Sequence, residues 1–462
     1  MFAAETFQKR RAVLKKEVKS GIILLLGNRE SSMNFADNHY HFRQDSTFRY
    51  YFGIDKPDLA GVIDCDSGEE ILFGDDLTID QIVWTGFQPT MKELAEEVGI
   101  QTTLIYNKLR EMVTKALTAG RSLHFLPPYR AAQRVELAEL TGKAVASING
   151  MASEELIKAV VKQRNIKTAE EVAELEKAVD ITAQMHIAAM QNARPGMKEY
   201  EVAAIIQNKA MENGATLSFP MIVTKDGQTL HNHYHGNTLK EGDLLLCDSG
   251  AAIESGYCGD MTRTFPVSKK FDTRQKDLYQ IALDAHIAAV NELKPGKKFR
   301  DIHLLAGATI FEGLKSVGLT KGDTESAVAA GAHTMFFQCG LGHMMGMDVH
   351  DMENLGEQFV GYTPDMPKSK EFGLKSLRLG KALEKGNVIT VEPGIYIIPS
   401  LIDLWKKEKK YEEFINYDEL EKFKDFGGIR IEEDFLITED GAKMLGREVP
   451  KSVADVEAAR NY

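Results

Sequence analysis

The tetrapeptide His186-Ile187-Ala188-Ala189 recurs as His286-Ile287-Ala288-Ala289, and Pro195-Gly196 recurs as Pro295-Gly296, each one hundred residues further along the chain. Each copy reads as a helix, a Pro-Gly stop and a second amphipathic helix, because proline removes a backbone donor and glycine accepts the conformation that ends a helix. Two unrelated helices with similar ends would explain either match alone. The same order at the same offset points to a duplicated α+β half. A chain built this way folds around a seam, and a cleft forms at such a seam.

At 462 residues the chain exceeds one ordinary core, so two domains are expected, 1–155 and 156–462. The first alternates short apolar strands with helical stretches, the pattern of an α/β layer domain. Gly21-Ile22-Ile23-Leu24-Leu25-Leu26-Gly27 is a buried strand, and Gly61-Val62-Ile63-Asp64 pairs with Glu70-Ile71-Leu72-Phe73 around Asp66-Ser67-Gly68. Phe42 to Gly53, with its run of aromatics, reads as an amphipathic strand packed on that sheet. After polar Gln163-Arg164-Asn165-Ile166-Lys167, Thr168 and Glu171 form a capping-box signature, and Val172, Leu175 and Val179 recur at helical spacing up to Asn192.

The hydrophobic content of 43% and charged content of 27% are those of a globular protein. A net charge of −12 argues against a nucleic-acid partner, and no stretch approaches the ~20 apolar residues of a membrane span. Met1-Phe2-Ala3-Ala4-Glu5 leads into a basic helical segment without the apolar core of a leader. Cys65, Cys247, Cys258 and Cys339 are spread out with no CxxC, which suits a reducing cytoplasm and excludes a cysteine-based zinc site.

Five short motifs carry the chemistry: Asp248-Ser249-Gly250, Gly259-Asp260-Met261-Thr262-Arg263-Thr264-Phe265, Gly342-His343, Val391-Glu392-Pro393-Gly394 and Arg430-Ile431-Glu432-Glu433. Asp248, Asp260, His343, Glu392 and Glu432 make a hard, oxygen-rich donor set for two divalent ions, Mn(II) first, with Co(II), Fe(II) or Zn(II) as the other candidates. An aspartate beside glycine is ordinarily a turn former. Asp248, however, ends the apolar run Leu244-Leu245-Leu246-Cys247, where an unpaired carboxylate is costly without a cation. Period-two alternation puts Arg430 and Glu432 on one strand face, which selects Glu432 over Glu433.

These segments and their flanks resemble the metallopeptidase family that includes methionine aminopeptidase, aminopeptidase P and prolidase. The resemblance covers most of residues 160–445 with the motifs in the family's order. Asp248 and Asp260 are twelve apart where the family usually has eleven, a difference that one extra residue in the Ala252–Gly256 turn absorbs. Phe42 to Gly53 resembles the amino-terminal domain that aminopeptidase P and prolidase carry. The resemblance implies an α/β amino-terminal domain followed by a pseudo-symmetric α+β "pita-bread" catalytic domain. Asp248 and Asp260 would then come from its first half, with His343, Glu392 and Glu432 from its second.

By the same resemblance, the activity is hydrolysis of the bond between an amino-terminal residue and proline, and the expected partners are peptides with proline second. A homodimer or higher homo-oligomer is expected as well. Glu392 would act as ligand and acid/base, and His350 would contact substrate. Arg430 would orient the ligands and adjoin the substrate. Of the histidines at 231, 233 and 235, spacing from Gly242-Asp243 favours His231 as the one facing the reacting carbonyl. His233-Tyr234 also resembles the family's His-Tyr pair and stays open for substrate contact. Arg378 could hold the terminal carboxylate of a dipeptide, as in prolidase, or be a solvated loop charge. Aminopeptidase P is preferred, prolidase is the alternative, and a non-catalytic binding module of the same fold is disfavoured because all five ligands are present.

Overall fold

The Thr168 hydroxyl accepts the amide of Glu171, and the Glu171 carboxylate accepts the amide of Thr168, closing a capping box at the start of the helix Ala169–Asn192. The stop follows, with Gly196 at φ +92°, and the helix Glu199–Glu212 resumes. The second copy repeats this with Thr273–Asn291, Gly296 at φ +83° and Phe299–Ser316. Even the backbone bonds correspond: Gly196 donates to Leu239 O and Gly296 to Leu383 O, each over 2.8 Å. Lys198 bridges Thr238, and Lys298 bridges Ala382. The echo in the sequence is a structural repeat.

This is a computed structural model that describes residues 2–460, so Met1 and the last two residues of the expected second domain lie outside the described residues. The chain divides into two units. One runs to Arg164 and includes Asn354–Phe359, and the other comprises Asn165–Glu353 and the chain from Val360 onward. Among the described residues no helix is long and apolar enough to cross a membrane.

The first unit holds a mixed five-stranded sheet in the order Thr102–Leu104, Glu70–Phe73, Ala60–Asp64, Ile22–Leu26, Leu123–His124. Leu24, Val62, Phe73, Val113 and Leu137 are buried against one another on it. The expected hairpin forms, with Asp64 Oδ1 accepting the amides of Asp66 and Ser67 at 2.9 and 3.0 Å. The strand expected within Phe42 to Gly53 does not. Ser46–Phe52 is a helix, capped by Asp45 accepting the Phe48 amide and ended by Gly53 in left-handed backbone. Its aromatics favour strands in isolation, but the two end signals and burial of almost every side chain override that preference.

In the second unit Leu244–Ser249 lies between Ile222–Thr224 and Met261–Pro266, antiparallel to both. The other half pairs Val388–Val391 with Glu433–Ile437, and Gly394–Tyr396 with Gly428–Arg430. The segment read as one continuous strand is therefore interrupted at Ile431-Glu432. Its partner is interrupted opposite, at Glu392-Pro393, because proline cannot donate to a ladder.

Candidate metal centre

Asp248 pairs directly with Thr262 across the antiparallel ladder, and Asp260 precedes Thr262 by two residues just outside its strand. Period two therefore brings Asp248, Thr262 and Asp260 to one face. Burial, then the charge of Asp248, pushes the Asp260 carboxyl well above the usual range. Oδ1 of each aspartate is buried and makes no hydrogen bond among the described residues.

His343 reaches the same place through a close backbone approach. A Cβ at Gly342 would stand 2.1 Å from the Thr390 carbonyl oxygen, so only glycine lets this loop lie against Val388–Val391. The His343 amide donates to Thr390 Oγ1 at 3.1 Å, and the Thr390 amide donates to His343 O at 3.0 Å. Nδ1 lies 3.1 Å from Met344 O, which fixes the hydrogen there and leaves Nε2 as an acceptor. Nε2 stands 3.4 Å from Asp260 Oδ2 and 3.7 Å from Glu392 Oε1.

Both glutamates sit at the paired interruptions. The Glu392 amide donates to Leu341 O at 2.8 Å, and the Glu432 amide to Thr262 O at 3.1 Å. Burial, then the charges of Asp260 and Glu392, raises Glu432 well above its usual range. Glu392 is pushed up to about 8 by burial and the neighbouring aspartates, against the pull of Arg430. Glu433 faces elsewhere: Arg263 Nη2 lies 2.6 Å from its Oε1 and Lys451 Nζ 2.6 Å from its Oε2.

Arg430 ties the cluster together. Its Nη2 donates to Asp248 Oδ2 at 2.5 Å, its Nε to Thr262 Oγ1 at 3.0 Å, and its Nη1 to the Tyr396 hydroxyl at 3.0 Å. Thr262 Oγ1 in turn donates to Glu432 Oε2 at 2.7 Å. Every nitrogen of this buried guanidinium is engaged within the cluster, so Arg430 braces Asp248 and Thr262. Asp260, His343 and Glu432 each offer a ligand atom, all within 4.8 Å of one another. One guanidinium among several buried carboxylates leaves an anionic, underbonded site that a divalent cation fits.

His350 packs edge-on to His343, with ring centroids 4.3 Å apart. Arg378 Nε donates to Glu353 Oε2 at 3.2 Å. Partial burial, then the charges of Arg430 and Arg378, holds His231 below the usual imidazole value. His231 is thus in electrostatic reach of the cluster, whereas the nearest partner of His233 is Met221 O at 3.5 Å. Sequence reasoning assigned no role to Thr262, Tyr396, Glu353 or Asp434, whose Oδ2 accepts the Asp260 amide at 3.0 Å. Thr262 had a signal, its two-residue offset from Asp260. Glu353 lies three residues after His350, whereas Tyr396 and Asp434 come near the site only through tertiary pairing.

Residues 173–439 match the model of metallopeptidase family M24, and residues 7–124 match that of the aminopeptidase P amino-terminal domain. The chain is 30% identical to a Homo sapiens Xaa-Pro dipeptidase over 95% of this chain and 88% of that protein. It is 29% identical to an Escherichia coli Xaa-Pro aminopeptidase over 98% and 97%. Among solved structures, E. coli aminopeptidase P in complex with substrate superposes with a TM-score of 0.82 at 28% identity, covering 99% of this chain and 98% of that one. A proline aminopeptidase P II from Yersinia pestis gives 0.81 at 28%, covering 99% of each. The repeated halves, the cluster of carboxylates at their interrupted strands and these matches lead to one conclusion: the chain belongs to metallopeptidase family M24 and carries a pita-bread catalytic domain behind an aminopeptidase P amino-terminal domain.

Proposed function

We propose that this metallopeptidase hydrolyses the bond between an amino-terminal residue and proline, as an Xaa-Pro aminopeptidase. The observation that carries this is the buried cluster itself, in which Asp248 Oδ1 and Asp260 Oδ1 lack hydrogen-bond partners among the described residues while His343 Nε2 faces Asp260 and Glu392. Asp248, Asp260, His343, Glu392 and Glu432 would hold two divalent ions, Mn(II) being the proposed metal. Such ions make water a nucleophile at neutral pH and polarise a carbonyl.

The chain's own groups supply the rest. Glu392, as the carboxylate, takes a proton from the attacking water and passes it to the leaving imino nitrogen of proline. His231 donates to the carbonyl oxygen as charge develops on it, and His350 contacts the substrate through its ring. Arg430 and Thr262 hold Asp248 and Glu432 in place. The four cysteines are free, which supports a cytoplasmic setting. Exposed Ile79, Val83, Trp84 and Phe87 in the first unit offer apolar surface for the expected self-association.

A dipeptidase reading has its own support. Arg378 is close enough for its charge to act on Asp260, His343 and Glu392, and a guanidinium there suits a substrate carboxylate. Hydrolysis of Xaa-Pro against Xaa-Pro-Yaa peptides with added Mn(II) separates the readings. Cleavage of both supports the aminopeptidase, cleavage of dipeptides alone the dipeptidase, and cleavage of neither removes Xaa-Pro specificity.

A further inference from the structure

Two residues past His350 the chain turns through Met352, a non-glycine residue at φ +60°, and enters the single helical turn Glu353–Leu355. Such backbone persists only where its surroundings over-determine it. Here they do. Met352 is fully buried, and the Asp351 amide donates to Met344 O at 2.9 Å. The Asp351 carboxylate meets Lys167 Nζ at 3.0 Å with both side chains 1% exposed. The turn folds Glu353 back, so that its Oε2 lies 2.5 Å from His350 Nδ1 and also accepts Arg378 Nε at 3.2 Å.

A carboxylate in this state only accepts, so Nδ1 of His350 carries the hydrogen and Nε2 is the ring atom left for substrate. His343 is oriented the same way, by Met344 O. Arg378 makes its one side-chain hydrogen bond among the described residues through Nε, which leaves its two-pronged end for a carboxylate. We propose that Glu353 is a positioning residue for the hydrolysis: one carboxylate oxygen sets the His350 ring and the Arg378 fork relative to each other. This rests on the peptidase reading above. With its side chain 42% exposed, the ion pairs of Glu353 add little to folding stability, so its effect is legible in catalysis.

The first test uses metal-free protein with 15N-labelled histidine, the His350 signal being assigned by its loss in His350→Gln. The Nδ1–H form is expected in the wild type and in Glu353→Gln, whose amide oxygen still accepts, and a mixture of tautomers in Glu353→Ala. With Mn(II), Glu353→Ala should lower kcat about 10- to 100-fold on both Xaa-Pro and Xaa-Pro-Yaa peptides, and Glu353→Gln should recover most of it. KM for Xaa-Pro should rise in Glu353→Ala, and that rise should vanish when Arg378 is already alanine. An unchanged Nδ1–H signal in Glu353→Ala, or a kcat within about twofold of wild type, a change smaller than one neutral hydrogen bond contributes, overturns the proposal. A wild type inert toward every Xaa-Pro peptide would end the peptidase reading instead, with the tautomer result still deciding the role of Glu353.

Discussion

The amide of Ile431 donates to the carbonyl oxygen of Pro393 across 3.3 Å, tying the strand interruption that carries Glu392 to the one that carries Glu432. Two carboxylates at facing interruptions are free of the ladder's alternation and can turn to a common point. They share it with Asp260 and His343, and the charge they accumulate there is the basis of the first prediction.

Asp260→Ala and Glu432→Ala should abolish activity and lower bound metal while leaving the fold intact. Removing a repelled, buried carboxylate should leave the metal-free protein as stable as wild type or more so. A metal held at one hundred times its Kd contributes about 2.7 kcal/mol, so chelation should lower the wild-type Tm and leave that of Asp260→Ala unchanged. Elemental analysis checks the assignment: a folded Asp260→Ala protein that keeps two metals and full activity would refute it.

His231→Ala and His350→Ala should lose turnover while retaining metal, because neither is among the proposed ligands. His233→Ala should have the smaller effect, since the charges of Arg430, Arg378 and Asp248 act on His231. A larger loss of kcat in His233→Ala than in His231→Ala would exchange their roles. Metal loss in His350→Ala would make that ring a ligand.

Arg378→Ala divides the two peptidase readings. A carboxylate-binding guanidinium contributes on the order of 1.5–3 kcal/mol, about ten- to a hundred-fold in specificity. If Arg378 holds the end of a dipeptide, kcat/KM for Xaa-Pro should fall by that factor while Xaa-Pro-Yaa is nearly spared. Equal small losses on both would confine Arg378 to its pairing with Glu353.

Acid should weaken the second unit through His303 and His333, neither of whose ring nitrogens has a hydrogen-bond partner among the described residues. Burial pushes His303 down to about 3 and His333 to about 4, from an ordinary value of 6.5. Above that value both states are neutral and stability is flat. As pH falls below it the unfolded chain takes up protons that the folded one does not. Stability then declines by about 1.4 kcal/mol per pH unit for each ring, until the folded rings protonate near their own lowered values. Urea unfolding of His303→Leu/His333→Leu between pH 6 and about 4 should give a flatter decline, and an unchanged slope would assign the acid sensitivity to other groups.

What the sequence determined by itself was local or periodic. The capping box of Thr168 and Glu171, the Pro-Gly stops one hundred residues apart and the hairpin around Asp66-Ser67-Gly68 are legible because each depends on residues a few positions apart. Alternation along one strand favoured Glu432 over Glu433, but the strand is interrupted at Ile431-Glu432. Ser46–Phe52 was misjudged as a strand because its aromatics are strand formers, while the caps at Asp45 and Gly53 and burial on nearly all sides decide for a helix. Only the tertiary structure could match the interruption at Glu392 to the one at Glu432, pass a hydrogen-bond chain from Asp248 through Arg430 and Thr262 to Glu432, or fold Glu353 onto His350 and Arg378. Most of these contacts join residues far apart in sequence. Their energy is realised only when distant strands share one buried, weakly screened site, and no local pattern in the chain encodes that coincidence.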